Sequence, residues 1–277
     1  MRIIDLSAPL STQGAAPTKV HIKRVNHLRG IKMLELEAGI MEPSVIKRVR
    51  NLLCYLLGIR RIGRKNFPEG EGLAWETIKT ITHRGTHMDA PYHFGSKCGE
   101  VAARTIDQIP LEWCYHDGVL LDFSYKKAQE LITAEDIKQE LIRINYKLKP
   151  FDIVILKTGM EKFWKTSSYL TDYPGLSIEG LFYLLDKGIK IIGVDSYSLD
   201  RPSYLMVNEY FNSNKNSDVL WPTHIAGRQE EYCHIEQLMN LDRLERPFGF
   251  KVSCFPIAIE RGSAGWCRVV ALMNDDE

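Results

Sequence analysis

The sequence predicts an α/β fold, a mixed sheet with crossover helices, and three observations carry that prediction. Between residues 118 and 195, three apolar strand-like runs alternate with two capped amphipathic segments. Strand, helix, strand, helix, strand implies parallel pairing through crossovers. Near the C-terminus, residues 250–259 and 266–273 flank Arg261-Gly262-Ser263-Ala264-Gly265 and read as an antiparallel hairpin, which makes the sheet mixed. The chain has 277 residues, 44% hydrophobic and 26% charged, an ordinary globular composition. A chain of this length can bury about 75% of its unfolded surface. One domain over 1–277 is expected, with two as the alternative.

Taken in order, residues 3–6 form a short apolar strand, followed by a loop over 11–17. Residues 20–28 and 33–38 are read as a second and a third strand, the latter on the alternation of Met33-Leu34-Glu35-Leu36-Glu37-Ala38. His21 and His27 lack a carboxylate cluster and are taken as surface residues. Residues 44–62 differ: Ser44 can cap a helix, and Val45, Val49, Leu52, Leu53, Leu56 and Leu57 recur at helical spacing. Lys47, Arg48, Arg50, Arg60, Arg61 and Arg64 make this segment basic. Docking of its leucine face on the body or on another subunit is preferred to a lid or a membrane-surface role. A turn over 68–72 closes the segment, and residues 75–82 are rich in β-formers.

Residues 118–123, 152–156 and 190–195 are the three apolar strands. Thr133 caps the first intervening helix, with Asp136 where a carboxylate completes the cap, and Ser177 caps the second, which Gly188 ends. Residues 230–241 are read as a helix carrying Glu236. No internal repeat and no low-complexity tract is found.

One stretch carries chemistry. Thr82-His83-Arg84-Gly85-Thr86-His87-Met88-Asp89-Ala90-Pro91-Tyr92-His93-Phe94 holds three of the eight histidines. His83, His87, Asp89 and His93 all occupy odd positions, so an extended backbone turns all four to one side. A helix would turn Asp89 away, and Gly85 and Pro91 oppose it. Burying four such groups without a metal or other partners would cost several kcal/mol. Imidazoles with a carboxylate suit a borderline divalent cation such as zinc or manganese. Asp195, at the carboxyl end of a parallel strand, either supports such a site or caps a turn.

Composition excludes other classes. The chain has 36 basic and 35 acidic residues, a net charge of +1, so nothing calls for nucleic acid. No apolar run reaches the length of a membrane span. Asp5 interrupts any secretory core at the N-terminus. Six cysteines without a Cys-x-x-Cys pair read as reduced thiols of a cytoplasmic protein. Cys233, near His234 and Glu236, is expected to be a buried small hydrophobe and not a nucleophile.

His83-x-Gly85-Thr86-His87-x-Asp89-x-Pro91-x-His93-Phe94 closely resembles the signature of the cyclase family, which includes metal-dependent kynurenine formamidases and isatin hydrolases. Three further blocks are similar: Thr105-Ile106-Asp107-Gln108-Ile109-Pro110-Leu111, then Ile192-Gly193-Val194-Asp195-Ser196-x-Ser198-x-Asp200, then His224 with Glu236-x-Leu238-x-Asn240-Leu241-x-x-Leu244. The resemblance implies a swivelling β/β/α fold, a homodimer and a small-molecule substrate. It implies that His83, His87 and Asp89 hold one metal, that Asp89, His224 and Glu236 hold a second in binuclear members, and that His93 is the catalytic acid/base. One or two zinc or manganese ions per subunit are therefore expected. Two departures bear on the substrate: the family's early Tyr-Pro-Gly-Asp-like loop is replaced by Gly14-Ala15-Ala16-Pro17, and the basic helix over 44–62 looks inserted.

The function this implies is a metal-dependent hydrolase of a small amide or lactam, of the aryl-formamide type. A metal lowers the pKa of water from 15.7 to about 7 and polarises a carbonyl, while an imidazole moves the proton. A cyclase or dehydratase acting on a polyketide-like intermediate needs the same residues and is the first alternative. A structural metal protein is the second; it would have no use for His93.

Overall fold

The computed structural model describes residues 1–59 and 61–273, and these fall into two compact units, 1–19 with 81–273 and the described part of 20–80. In chain order the strands used below are β1 (Arg2–Asp5), β2 (His21–Val25), β3 (Trp75–Lys79), β4 (His87–Asp89), β5 (Tyr115–Asp122), β6 (Ile153–Lys157), β7 (Ile191–Val194), β8 (Cys233–Glu236), β9 (Phe250–Ser253), β10 (Ala264–Trp266) and β11 (Val270–Met273). The helices labelled here are α1 (His27–Ile40), α2 (Val45–Leu56), α3 (Pro91–Phe94), α4 (Ala134–Arg143), α5 (Ile178–Leu185), α6 (Ser203–Asn212) and α7 (Pro222–Ala226), and a further short helix spans Ser168–Thr171.

The larger unit is built on one nine-stranded mixed sheet in the order β1-β11-β9-β5-β6-β7-β8-β4-β10. Its centre, β5 to β8, is parallel, with Gly118, Ile153, Ile191 and Cys233 in register. Antiparallel strands close both sides. The expected α/β fold with crossover helices is therefore present.

Apolar residues run continuously along the central strands because both faces are covered. Val119, Leu121, Val154, Leu156, Ile192 and Val194 pack with the inner faces of α4 and α5, including Ile137, Leu141, Leu181 and Leu184. Leu120, Ile153, Ile155, Ile191 and Ile235 face the other layer with Ile4, Val252 and Ala271. Thr133 and Asp136 complete the expected capping box of α4, and Ser177 caps α5 through the Gly180 N–H. Gly118 is required where it stands, since a Cβ there would lie 2.2 Å from the Phe250 ring.

In the smaller unit, β2 and β3 pair antiparallel and α1 and α2 follow the first of them. Here the expected third strand is a helix. Asn26 accepts from the Arg29 N–H and starts α1, and Leu36 and Ile40, four apart, fit helical spacing as well as the alternation that suggested a strand. The expected basic helix is present as α2, capped by Ser44, with no buried residue of its own. Arg60, one of the basic residues counted in that segment, lies outside the described residues.

Two further expectations change in the larger unit. Residues 233–236 are a strand and not part of a helix, because β8 is paired on both sides, by β7 and by β4. The terminal strands β9 and β11 are antiparallel partners as expected, but β10 leaves between them to pair with β4. Among the described residues, no helix is long and apolar enough to cross a membrane.

Candidate metal centre

Met88 of β4 turns into the apolar layer, so His87 and Asp89 share the opposite face. β8 runs antiparallel beside it, with His234 opposite Asp89 and Glu236 opposite His87. Cys233 and Ile235 take the apolar face. Directly opposed side chains start about 4.5–5.5 Å apart. The ladder register alone thus gathers two imidazoles and two carboxylates into one patch.

Three more histidines enter from shorter pieces of backbone. His83 precedes a turn at Gly85, whose φ of +75° suits glycine. His93 rides on α3, which Pro91 opens. His224 sits in α7, where Asp200 accepts from the backbone N–H groups of Thr223 and His224 at 2.9 and 3.2 Å and from His224 Nδ1 at 2.6 Å. Asp89 divides these groups between its two oxygens. Oδ1 lies 2.8 Å from His83 Nδ1 and 3.2 Å from His87 Nε2, whereas Oδ2 lies 3.0 Å from His234 Nε2, 3.7 Å from His93 Nε2 and 3.9 Å from His224 Nε2. Glu236 also spans the group, with Oε2 3.6 Å from His87 Nε2 and Oε1 3.3 Å from His234 Nε2.

The outward-facing ring nitrogens are occupied. His87 Nδ1 lies 2.8 Å from the Gly85 carbonyl, His83 Nε2 lies 3.1 Å from Ser263 Oγ, and His224 Nδ1 is held by Asp200. The other nitrogen of each ring therefore faces the carboxylates. His87 Nε2 and Asp89 Oδ1 are buried and have no hydrogen-bond partner among the described residues. Close approach without hydrogen-bond geometry is what donors converging on a shared cation produce, and the set of imidazole nitrogens and carboxylate oxygens fits a divalent metal. Asp89, His224, His234 and Glu236 each offer a ligand atom within 4.8 Å of the others, and so do His83, Asp89 and His93.

The electrostatics make the same demand. Burial opposes charge on Asp89, but His87, His234 and His83 overcome it and hold this carboxyl well below its usual range. Burial likewise works against a proton on His234, yet Asp89 and Glu236 raise its pKa to about 10. His87 is raised in the same way, burial being outweighed by the same two carboxylates. The buried carboxylates call for positive charge, supplied by protons on imidazoles or by a divalent cation that displaces them. His93 differs: burial, with His83, His224 and His234 adding to it, outweighs the pull of Asp89 and lowers its pKa to about 4. Its side chain is 33% exposed, against 0% for His87 and 1% for Asp89. It is neutral near pH 7 and reaches the mouth of the cluster.

All six residues singled out in the sequence, His83, His87, Asp89, His93, His224 and Glu236, come together here. The single extended strand expected over 83–93 does not: only His87–Asp89 is strand, and a turn and a helical turn supply His83 and His93. Asp195 lies apart, accepting from the Thr158 N–H and hydroxyl. Cys233 is buried, and burial raises its thiol pKa well above the ordinary range. The sequence reading missed His234 and the orienting role of Asp200. His234 and Glu236 alternate as strand residues do, but the helix assigned to that segment hid the pattern.

The Cyclase family model, described as "Putative cyclase", matches residues 4–201. The chain belongs to the cyclase family. A curated relative, cyclase-like protein 2 from Arabidopsis thaliana, is 26% identical over 183 residues, 66% of this chain and 59% of that protein. This cyclase-family chain spans less than two thirds of that relative's length. Its fold is shared with isatin hydrolase A from Ralstonia solanacearum, at a TM-score of 0.72 and 20% identity, covering 99% of this chain and 92% of the other. It is also shared with a protein described as a potential metal-dependent hydrolase with cyclase activity, at a TM-score of 0.57 and 16% identity, covering 99% and 98%.

Proposed function

We propose that this cyclase-family chain is a metal-dependent hydrolase of a small amide or lactam of the aryl-formamide type. His83, His87, Asp89, His224 and Glu236 would hold one or two zinc or manganese ions, and His93 would be the general acid/base. When bound, such an ion polarises a carbonyl and makes water acidic enough to ionise near neutral pH. The observation that carries the reading is the contrast between the buried His87, Asp89, His224 and Glu236 and the more exposed His93. Its Nε2 lies 3.7 Å from Asp89 Oδ2, on a ring a third exposed and 4.1 Å from the His83 ring. A purely structural ion would need no solvent-reaching, neutral imidazole beside it.

The chain's own residues then divide the work. Asp200 and the Gly85 carbonyl fix the orientation of His224 and His87, so the rings need no reorganisation on binding. His93, neutral at working pH, accepts a proton as the attacking water reacts and returns it to the leaving amine. The test is metal analysis of the purified protein joined to an activity screen on formamides and lactams, with and without chelator. The expected result is at least one bound divalent ion and a product that gains the elements of water, with turnover lost to chelator and restored by metal. A metal-free protein, or turnover indifferent to chelator, would refute the proposal; a product that closes a ring or loses water would move it to cyclase or dehydratase chemistry.

A further inference from the structure

His234 is a departure from the ligand set that the family resemblance implies, and its surroundings are those of a ligand. Its register opposite Asp89 is fixed by β8, and its ring is fully buried. Nδ1 lies 3.4 Å from the Tyr232 hydroxyl, which itself donates to the Thr223 carbonyl at 2.9 Å. That hydroxyl has spent its proton, so toward His234 it is an acceptor, and Nδ1 carries the hydrogen. A cation that displaces the Nε2 proton would meet a lone pair aimed between Asp89 Oδ2 and Glu236 Oε1, which stand 3.0 and 3.3 Å away.

His224 repeats the arrangement from the other side. Asp200 takes its Nδ1 hydrogen at 2.6 Å, and Nε2 faces the same two oxygens at 3.9 and 4.0 Å. Metal-ligating histidines are typically oriented in this way, by an acceptor on the far nitrogen. Four ligands about 2.0–2.1 Å from one zinc ion stand about 3.3 Å from one another. The four nitrogen–oxygen separations, 3.0, 3.3, 3.9 and 4.0 Å, bracket that edge. On the other side of Asp89, Oδ1 faces His83 and His87 at 2.8 and 3.2 Å, and the His93 ring, whose Nε2 stands 3.7 Å from Oδ2, lies 4.1 Å from the His83 ring.

We propose that His234 is a fourth protein ligand that closes one of two metal positions. Asp89, His224, His234 and Glu236 fill that position and leave it no open vertex, so its ion organises the site and neutralises the carboxylates. The position at His83, His87 and Asp89 keeps its vertex for substrate. This rests on the proposed function only in requiring that the cluster bind divalent cations.

Zinc titration of the apoprotein, read by mass spectrometry and competition with a chromophoric chelator, tests it alongside H234Q and H234L. Wild type should take two equivalents. Both variants should keep one and bind the other at least about tenfold more weakly, and the cobalt-loaded variants should lose part of the tetrahedral visible absorption. A zinc-soaked wild-type crystal gives a second readout that needs no variant: an anomalous peak should lie about 2.1 Å from His234 Nε2. The inference is overturned if wild type takes two equivalents and the variants match it, or if the peak is not bonded to His234. It is equally overturned if wild type takes one equivalent and H234Q gains another, since His234 would then stand in a metal's place. A wild-type chain that takes no metal overturns the functional proposal itself, a different result from any of these.

Discussion

His93 and Asp89 are neighbours in space with opposite assignments, and single substitutions separate them. Removing the His93 ring, which only the mouth of the cluster needs, should lower turnover by about 10²–10⁴-fold, the usual worth of a positioned acid/base. Metal content should stay at the wild-type level; turnover close to wild type in His93→Ala would remove its assigned role. Asp89→Ala should instead empty the site, because both halves of the cluster share its oxygens. Undiminished zinc in that variant, measured by elemental analysis, would mean that Asp89 is not a ligand. Asp200 touches neither oxygen set, yet it holds His224 Nδ1 at 2.6 Å. Asp200→Asn should weaken metal binding about 10–100-fold, the usual effect of losing such an orienting partner, and equal affinity by competition titration would refute the role.

At the scale of elements, local signals and long-range pairing carried different weight. α4 was legible because its start is written locally, in Thr133 and Asp136 of the capping box. Thr133→Ala should cost about 1 kcal/mol in urea unfolding, the usual worth of a cap. Gly118 belongs to the other kind of constraint. Its neighbour Phe250 is distant in sequence, and a Cβ would stand 2.2 Å from that ring. Gly118→Ala should therefore cost more than the cap variant, about 1–3 kcal/mol of overpacking strain; a smaller loss than for Thr133→Ala would show that the Phe250 ring moves aside freely. β8 was misread for the same reason. Nothing local makes Cys233–Glu236 a strand; its partners on both sides do. The helix α1 was misread in reverse, since Leu36 and Ile40 satisfy both periods and the Asn26 cap decides between them.

Across the whole molecule, Asp195 links the sheet to pH. It is fully buried at the end of β7, and burial, only partly offset by the Thr158 hydrogen bonds, raises its pKa to about 6. A carboxyl near 3.8 when unfolded and near 6 when folded favours the folded state when protonated. Its contribution is greatest below the unfolded value and declines as pH rises through the folded one, by roughly 2–3 kcal/mol in all. Other carboxylates, held low by their partners, push the opposite way, so the signature lies in the difference between wild type and Asp195→Asn. Urea unfolding at pH 4.5 and pH 7 should show wild type gaining on the variant at the lower pH. A difference that does not change with pH would mean that Asp195 titrates normally.

The sequence by itself determined the donor types, the spacing in His83 to His93 that marks the family, and the helices whose caps are written beside them. It also determined a parallel centre for the sheet, because apolar runs alternate there with capped helices. Only the tertiary structure decided that His234 faces Asp89, that Asp200 and not Asp195 supports the cluster, and that His93 is the most exposed of the gathered donors. The physical reason is register. A side chain's type is a local property, but its neighbours across a ladder are fixed by pairing between segments 145 residues apart, and no local pattern encodes that distance.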